Sequence, residues 1–205
     1  MVEAVENEFK LTTDAPIDED LILKRLSGYL DDHGIDYSEK VKSSEDRYFD
    51  SKDMELDSMD CILRRKNSSS GRIKLTIKRP LTNDSGMMSR REIEKRSDGS
   101  FEDLCAFSEE QFPGIMIEEK PVLVIRTTRH DFEYDGIKLS FDICTYVDGE
   151  DTKDFHEIEL ESMDDSTECD FDRIGIVDFI RTLGFDTTVL SKFKRGIVWK
   201  SKNSF

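Results

Sequence analysis

Apolar and polar residues alternate with a period of two along most of this chain, and that period predicts strands. It covers residues 5–11, 46–49, 61–66, 72–78, 89–96, 122–134, 137–146 and 155–161. Residues 101–110 and 171–183 read at helical spacing instead. A further helix opens at Pro16 and Asp18 and runs to about Asp31, with Leu21, Leu26 and Leu30 among its apolar positions. A short element around residues 192–200 closes the pattern. Residues 80–88, with Asn83, Asp84, Ser85 and Gly86, read as a loop. Eight strands joined mostly as sequential neighbours predict an antiparallel sheet. With no obvious edge protection, such a sheet suits closure into a barrel. The expected fold is α+β and mainly antiparallel β, an eight-stranded closed barrel with flanking helices, in one domain over residues 1–205.

The alternation carries an anomaly. A half-buried strand has one apolar and one polar face, but several strands here place charged residues at i, i+2 and i+4 on one face with apolar residues between. The first has Glu6, Glu8 and Lys10; the fifth has Arg90, Glu92 and Glu94; the eighth has Glu157, Glu159 and Glu161. Arg64 and Lys66 make another strand basic, as do Arg72, Lys74 and Lys78. Charges two residues apart sit roughly 6.6–7 Å from each other. A solvated sheet face accounts for any single strand. Acidic and basic strand faces in combination fit a pocket for a metal-bound polyanion, where carboxylates hold hard cations and Lys or Arg holds phosphate oxygens. Crowded acids repel, so neutralising Glu8 or Glu159 is expected to leave stability unchanged or raise it.

Asp135-Gly136 is a strong two-residue hairpin signal. It pairs Tyr134 with Ile137 and therefore sets Arg129 opposite Asp142 on one face, a structural salt bridge or an anion-binder beside a metal-binder. The same parity turns His130 and His156 to the other face. No histidine cluster forms, and the four cysteines, Cys61, Cys105, Cys144 and Cys169, form no CxxC pair. Free thiols in a cytoplasmic setting fit them best. P-loop, dinucleotide and nucleophile-elbow signatures are missing.

Composition narrows the partner. Of 205 residues 37% are charged and the net charge is −16, with no Lys/Arg block. Extended nucleic-acid binding is therefore disfavoured, although a local basic pocket remains compatible. No signal peptide or membrane span is read from the sequence.

Ordered short motifs strengthen this reading. Glu6-Asn7-Glu8-Phe9-Lys10 matches ExExK, Tyr48-Phe49-Asp50 matches YFD, and Leu63-Arg64-Arg65-Lys66 is close to LRxR. Leu75-Thr76-Ile77-Lys78 follows LTxK, Arg90-Arg91-Glu92-Ile93-Glu94 follows RxExE, and Glu157-Ile158-Glu159 follows EIE. Phe141-Asp142 and Ser191-Lys192-Phe193 complete the series. Together they resemble the CYTH, or triphosphate tunnel metalloenzyme, superfamily. The resemblance implies a tunnel binding a small-molecule triphosphate with Mg²⁺ or Mn²⁺. It implies metal-side and catalytic carboxylates Glu6, Glu8, Asp142, Glu157 and Glu159, with Glu92 and Glu94 nearby on the metal side. It also implies phosphate-side cations Lys10, Arg64, Lys66, Lys78, Arg90, Arg129 and Lys192, with Lys10 also in the catalytic set. Lys66 stands where the family usually has Arg, and Thr127 where a basic residue is usual. The implied activity is terminal phosphoryl hydrolysis by a monomer or homodimer. A class IV-type adenylate cyclase, or a non-catalytic polyphosphate-binding module, is the alternative.

Overall fold

The sheet's register follows from two residues. Asp135 and Gly136 both take positive φ, 45° and 74°, as a type I′ hairpin requires. Tyr134 therefore pairs with Ile137, and the register runs through Arg129↔Asp142 to Val124↔Val147. The computed structural model describes residues 1–81, 88–163, 171–172 and 174–203, without the side chains of residues 6, 7, 88, 89 and 203. In it this hairpin joins β6 (Leu123–Tyr134) to β7 (Ile137–Asp148). Before it come β1 (Val2–Thr13), α1 (Glu19–Asp32), β2 (Ser38–Phe49), α2 (Glu55–Ser58), β3 (Ile62–Ser68), β4 (Ile73–Pro80), β5 (Met88–Arg96) and α3 (Phe101–Gln111). After it come β8 (Asp151–Ser162), α4 (Ile176–Thr182), β9 (Asp186–Thr187) and α5 (Lys192–Asn203).

Every described strand pairing is antiparallel, in the order β5-β4-β3-β2-β6-β7-β8-β1-β9. A further β5–β1 pairing closes β1–β8 into a ring. β1 is the seam. Its first half pairs with β5, from Val2↔Glu94 to Glu8↔Met88, and its second half with β8, from Glu8↔Glu161 to Thr13↔His156.

α2 and β9 are not part of the sequence pattern, β1 and β8 are longer than it suggests, and three further differences bear on the packing. β2 begins at Ser38 rather than at residue 46, because its polar first half is held by unbroken backbone pairing with β6 rather than by an apolar face. The helix expected over 171–183 begins only at Ile176, since Gly175 has φ of 70° and the Asp172 carboxylate accepts from the Val177 N–H at 2.8 Å. In α1 it is Ile22, not Leu21, that joins Leu26 and Leu30 in the core; Leu21 is half exposed. Residues 82–87, most of the expected loop, and Cys169 lie outside the described residues.

Helices cover the outside of the ring. The apolar stripes of α1 and α4 pack on Phe132, Leu139, Phe141, Ile158 and Leu160. Leu104 and Phe107 of α3 pack on Leu63, Leu75, Ile77 and Ile93. Each such side chain contributes about 1.5–3 kcal/mol on burial. The third cluster lies inside the ring at one end, where Tyr48, Ile125, Tyr146 and Phe155 meet Phe193 of α5. That helix lies flush against the barrel end because Gly196 has no side chain: a Cβ there would fall 2.4 Å from Leu123 and 2.8 Å from Tyr146. Among the described residues, no helix is long and apolar enough to cross a membrane, and Cys61, Cys105 and Cys144 are free thiols.

Candidate active site

Strand alternation that turns apolar residues outward under the helices turns the charged ones into the ring. Above the apolar floor lies a cavity of about 370 Å³. Glu8, Lys10, Arg64, Lys66, Lys78 and Arg90 line it, as do Glu92, Glu94, Arg129, Asp142, Glu159 and Lys192. Glu157 is fully buried behind this surface. Glu6 lies in β1 opposite Arg90, but its side chain is outside the described residues.

β1, β6, β7, β8 and α5 build one wall. Oxygens of Asp142, Glu157 and Glu159 lie within 4.8 Å of one another, and all three residues are buried. Lys192 Nζ sits among them, 2.7 Å from Asp142 Oδ2, 2.6 Å from Glu157 Oε1 and 2.7 Å from Glu159 Oε1. Arg129 grips Asp142 with two bonds, Nε to Oδ1 at 2.6 Å and Nη2 to Oδ2 at 2.5 Å, and also bonds Glu159. Lys10 Nζ lies 2.8 Å from Glu8 and 3.2 Å from Glu159.

These contacts separate the three acids electrostatically. Burial pushes the Glu159 carboxyl up, but Arg129, Lys192 and Lys10 overcome it and hold the group well below its ordinary value. Asp142 is lowered in the same way, burial being outweighed by Arg129 and Lys192. Glu157 goes the other way, because burial outweighs Lys192 and Lys10 and Glu159 adds repulsion. Relief on neutralisation, expected for Glu159, is thus corrected for that residue and belongs to Glu157.

β2, β3, β4 and β5 build the facing wall, where Lys74 holds Glu94 at 2.5 Å and Arg64, Lys78 and Arg90 make longer contacts. Arg64 reaches Asp46 and Glu92 at 3.5 Å each, Lys78 reaches Glu92 at 3.6 Å, and Thr76 bonds Glu94 at 3.4 Å. Arg90 Nη2 lies 3.3 Å from both oxygens of Asp60. Lys66 makes no ion pair among the described residues. Its amine is pushed down to about 8, chiefly by burial, with Asp46 opposing and Arg64 and Arg129 adding to the effect. Acids and cations are therefore interleaved on both walls rather than sorted onto separate ones. Charges removed from water are tolerated when paired at close range.

Sequence reasoning missed two residues here. Asp46 shares inward parity with Tyr48, so alternation alone places it in the cavity. Arg195 lies one helical turn from Lys192 and binds Glu157 and Thr12. The motif aspartate Asp50 is not in the cavity. Its buried carboxylate accepts from the N–H groups of Ser51, Leu56 and Asp57 at 2.7–2.9 Å and so shapes α2. Asp57 in turn holds Lys194 of α5 at 2.6 Å.

A closed antiparallel ring with paired charges inside defines the tunnel class of β protein. A family model described as the CYTH domain matches residues 5–192, and the chain belongs to that family of triphosphate tunnel proteins. No curated protein matches it. Among solved structures it is similar to HpAC1 from Hippeastrum, named as an adenylyl cyclase that reveals a dominant triphosphatase activity. The identity is 19%, coverage is 98% of this chain and 97% of that one, and the TM-score is 0.61. The Bacillus halodurans protein bh2851, named as an adenylate cyclase, is 15% identical over 95% and 98% of the chains, with a TM-score of 0.57. PH1819 from Pyrococcus horikoshii is 19% identical over 96% and 99%, with a TM-score of 0.56. At these identities the likeness is one of fold.

Proposed function

We propose that this chain is a single tunnel domain and a Mg²⁺- or Mn²⁺-dependent triphosphatase, acting in the cytoplasm on a small molecule that carries a triphosphate. The observation that carries the reading is the buried Asp142–Glu157–Glu159 cluster at the base of a cavity whose other wall offers the cations Arg64, Lys66, Lys78 and Arg90. The cluster suits a hard divalent ion, because its three donors are carboxylate oxygens and no Cys or His is among them. Asp142, Glu157 and Glu159 would hold the ion, with Glu8, Glu6, Glu92 and Glu94 completing the metal-side set. Lys192 Nζ, within 2.7 Å of all three acids, would be the cation nearest to that ion and is assigned to the phosphates. Bound there, the ion supplies charge neutralisation at the phosphoryl group and acidifies a water.

The chain's own residues do the rest. Arg64, Lys66, Lys78 and Arg90 bind phosphate oxygens on one side, and Lys10, Arg129 and Lys192 on the other, which aligns the terminal phosphorus for in-line attack. Water oxygen bonds to that phosphorus as its bond to the bridging oxygen breaks. A carboxylate of the cluster takes the water proton, and Glu157 is the strongest base of the three. Orthophosphate and the shortened phosphate chain leave.

Phosphate release from tripolyphosphate is expected with Mg²⁺ or Mn²⁺ and lost in excess EDTA. Undiminished turnover in EDTA would overturn the reading. Thiamine triphosphate, ATP, GTP and triphosphate-ended RNA in the same assay rank the substrates, and cAMP from ATP without phosphate release would make the chain a cyclase instead.

A further inference from the structure

Asp46 is out of place for an anion-binding wall. It is 5% exposed, faces the cavity from β2, and sits directly across from Lys66 of β3. A carboxylate there repels a triphosphate, so its position calls for a compensating role. Among the described residues one of its oxygens is engaged: Oδ2 lies 3.5 Å from Arg64 Nη1, while Oδ1 is buried with no hydrogen-bond partner among them. A half-satisfied buried acid is costly unless neighbouring cations need its charge.

Two neighbours do. Arg64 spans from Asp46 to Glu92 and Thr76, so Asp46 fixes one end of its guanidinium. Lys66 is the second. The charged groups acting on it are Asp46 from β2, Arg64 from its own strand, Arg129 from β6 and Asp142 from β7, with Lys74 of β4 opposite it in register. Arg129 already engages Asp142 at hydrogen-bond distance. Asp46 is therefore the principal acid offsetting burial and two guanidinium groups.

We propose that Asp46 is a positioning residue of the β2–β5 wall: it anchors Arg64 and keeps Lys66 in its cationic, phosphate-binding form. The inference rests on the triphosphatase reading and assigns Asp46 no contact with substrate. It makes substrate binding, rather than the chemical step, depend on this carboxylate. It also makes that dependence grow with pH, because loss of the Asp46 charge lets Lys66 discharge at a lower pH while Arg64 stays charged throughout.

The test is steady-state kinetics on tripolyphosphate from pH 6.5 to 9, with the wild type, Asp46→Asn, Lys66→Arg and the double variant. Thermal midpoints check that each folds. For Asp46→Asn, KM at pH 8.5 rises on the order of tenfold, the scale of one lost charged contact, with kcat held within about threefold. The rise is smaller at pH 6.5. Lys66→Arg alone flattens the alkaline rise in KM. Added to Asp46→Asn, it removes the pH-dependent part of the defect and leaves the part due to Arg64. Should Asp46→Asn lower KM, or raise it equally at all pH values with no rescue by Lys66→Arg, Asp46 is merely a repelling or structural acid and the proposal fails. If Asp46→Asn does not fold, an unchanged alkaline KM profile in Lys66→Arg overturns it alone. A wild type that neither hydrolyses nor binds tripolyphosphate defeats the underlying reading, a result distinct from any of these.

Discussion

The two walls of the tunnel use the same residue types and differ in how closely those residues hold each other. On the β1–β6–β7–β8 wall, Lys192 touches three carboxylates at 2.6–2.7 Å and Arg129 clamps Asp142 at 2.5–2.6 Å. On the β2–β5 wall, Arg64 stands 3.5 Å from Asp46 and Glu92, Lys78 stands 3.6 Å from Glu92, half-exposed Lys74 holds Glu94 at 2.5 Å, and Lys66 has no ion pair among the described residues. The first wall is a closely paired network; on the second, Lys66 faces the cavity without an ion pair among the described residues. Preorganised carboxylates suit ion binding, and a cation facing the cavity suits a polyanion. The deepest acids lie on the first wall: Asp142 and Glu157 are fully buried and cannot persist as ions without close partners, whereas Glu92 keeps some contact with solvent.

The largest difference between the walls should appear on deleting one cation from each. Lys192→Ala leaves three buried acids facing one another and should cost about 3–5 kcal/mol of stability, as for other broken buried pairs. Lys78→Ala should cost less, because its 3.6 Å contact with Glu92 is longer than any of the three that Lys192 makes. Chemical denaturation measures both, and equal losses would erase the distinction.

Next in size, Glu159→Gln should lower activity on the order of a hundredfold, as for a lost preorganised group, and should also lower the thermal midpoint. Glu157→Gln should lower activity comparably with the midpoint held or raised, because burial already favours the neutral form of Glu157. Parallel midpoint shifts in the two variants would contradict the electrostatic split.

The smallest effect is in stability against pH. Asp142 and Glu159 have depressed carboxyls, so their contribution is present above the ordinary carboxylate range and is lost as pH falls through their folded values. Lys66 behaves differently. Its amine is lowered from 10.5 to about 8, so the unfolded chain binds more protons between those values and stability rises with pH across that window. Thermal midpoints from pH 7.5 to 10 should climb slightly in the wild type and not in Lys66→Met. A wild-type midpoint that is flat or falling there counts against it.

How legible each wall was in the sequence depended on the kind of order it has. The Arg129–Asp142 register followed from two turn residues, because a two-residue hairpin fixes every later pair by parity. Inward placement of Glu8, Lys10, Arg64, Glu92 and Glu159 followed from alternation in the same way. Parity gives the face but not the depth, so it did not place Lys192 among the acids. Nor did it show that Arg129 and Lys10 would bind carboxylates as closely as any incoming phosphate could be bound. The polar first half of β2 has no apolar face to announce it, since backbone pairing with β6 forms it. Asp50 matched a motif without being a site residue, and only its hydrogen bonds to the backbone of α2 reveal its task.

The placement of Lys192 on α5 has a consequence for the order of events as the chain is made. The three acids it neutralises belong to β7 and β8, and the ring they line closes only when β1 meets β8, across some 150 positions of sequence. Synthesis delivers all eight ring strands to the solvent before α5. In that interval the nascent barrel has its cluster of acids assembled without the lysine that balances it. Docking of α5 is therefore the step that brings Lys192 to acids that Arg129 and Lys10 have only partly balanced.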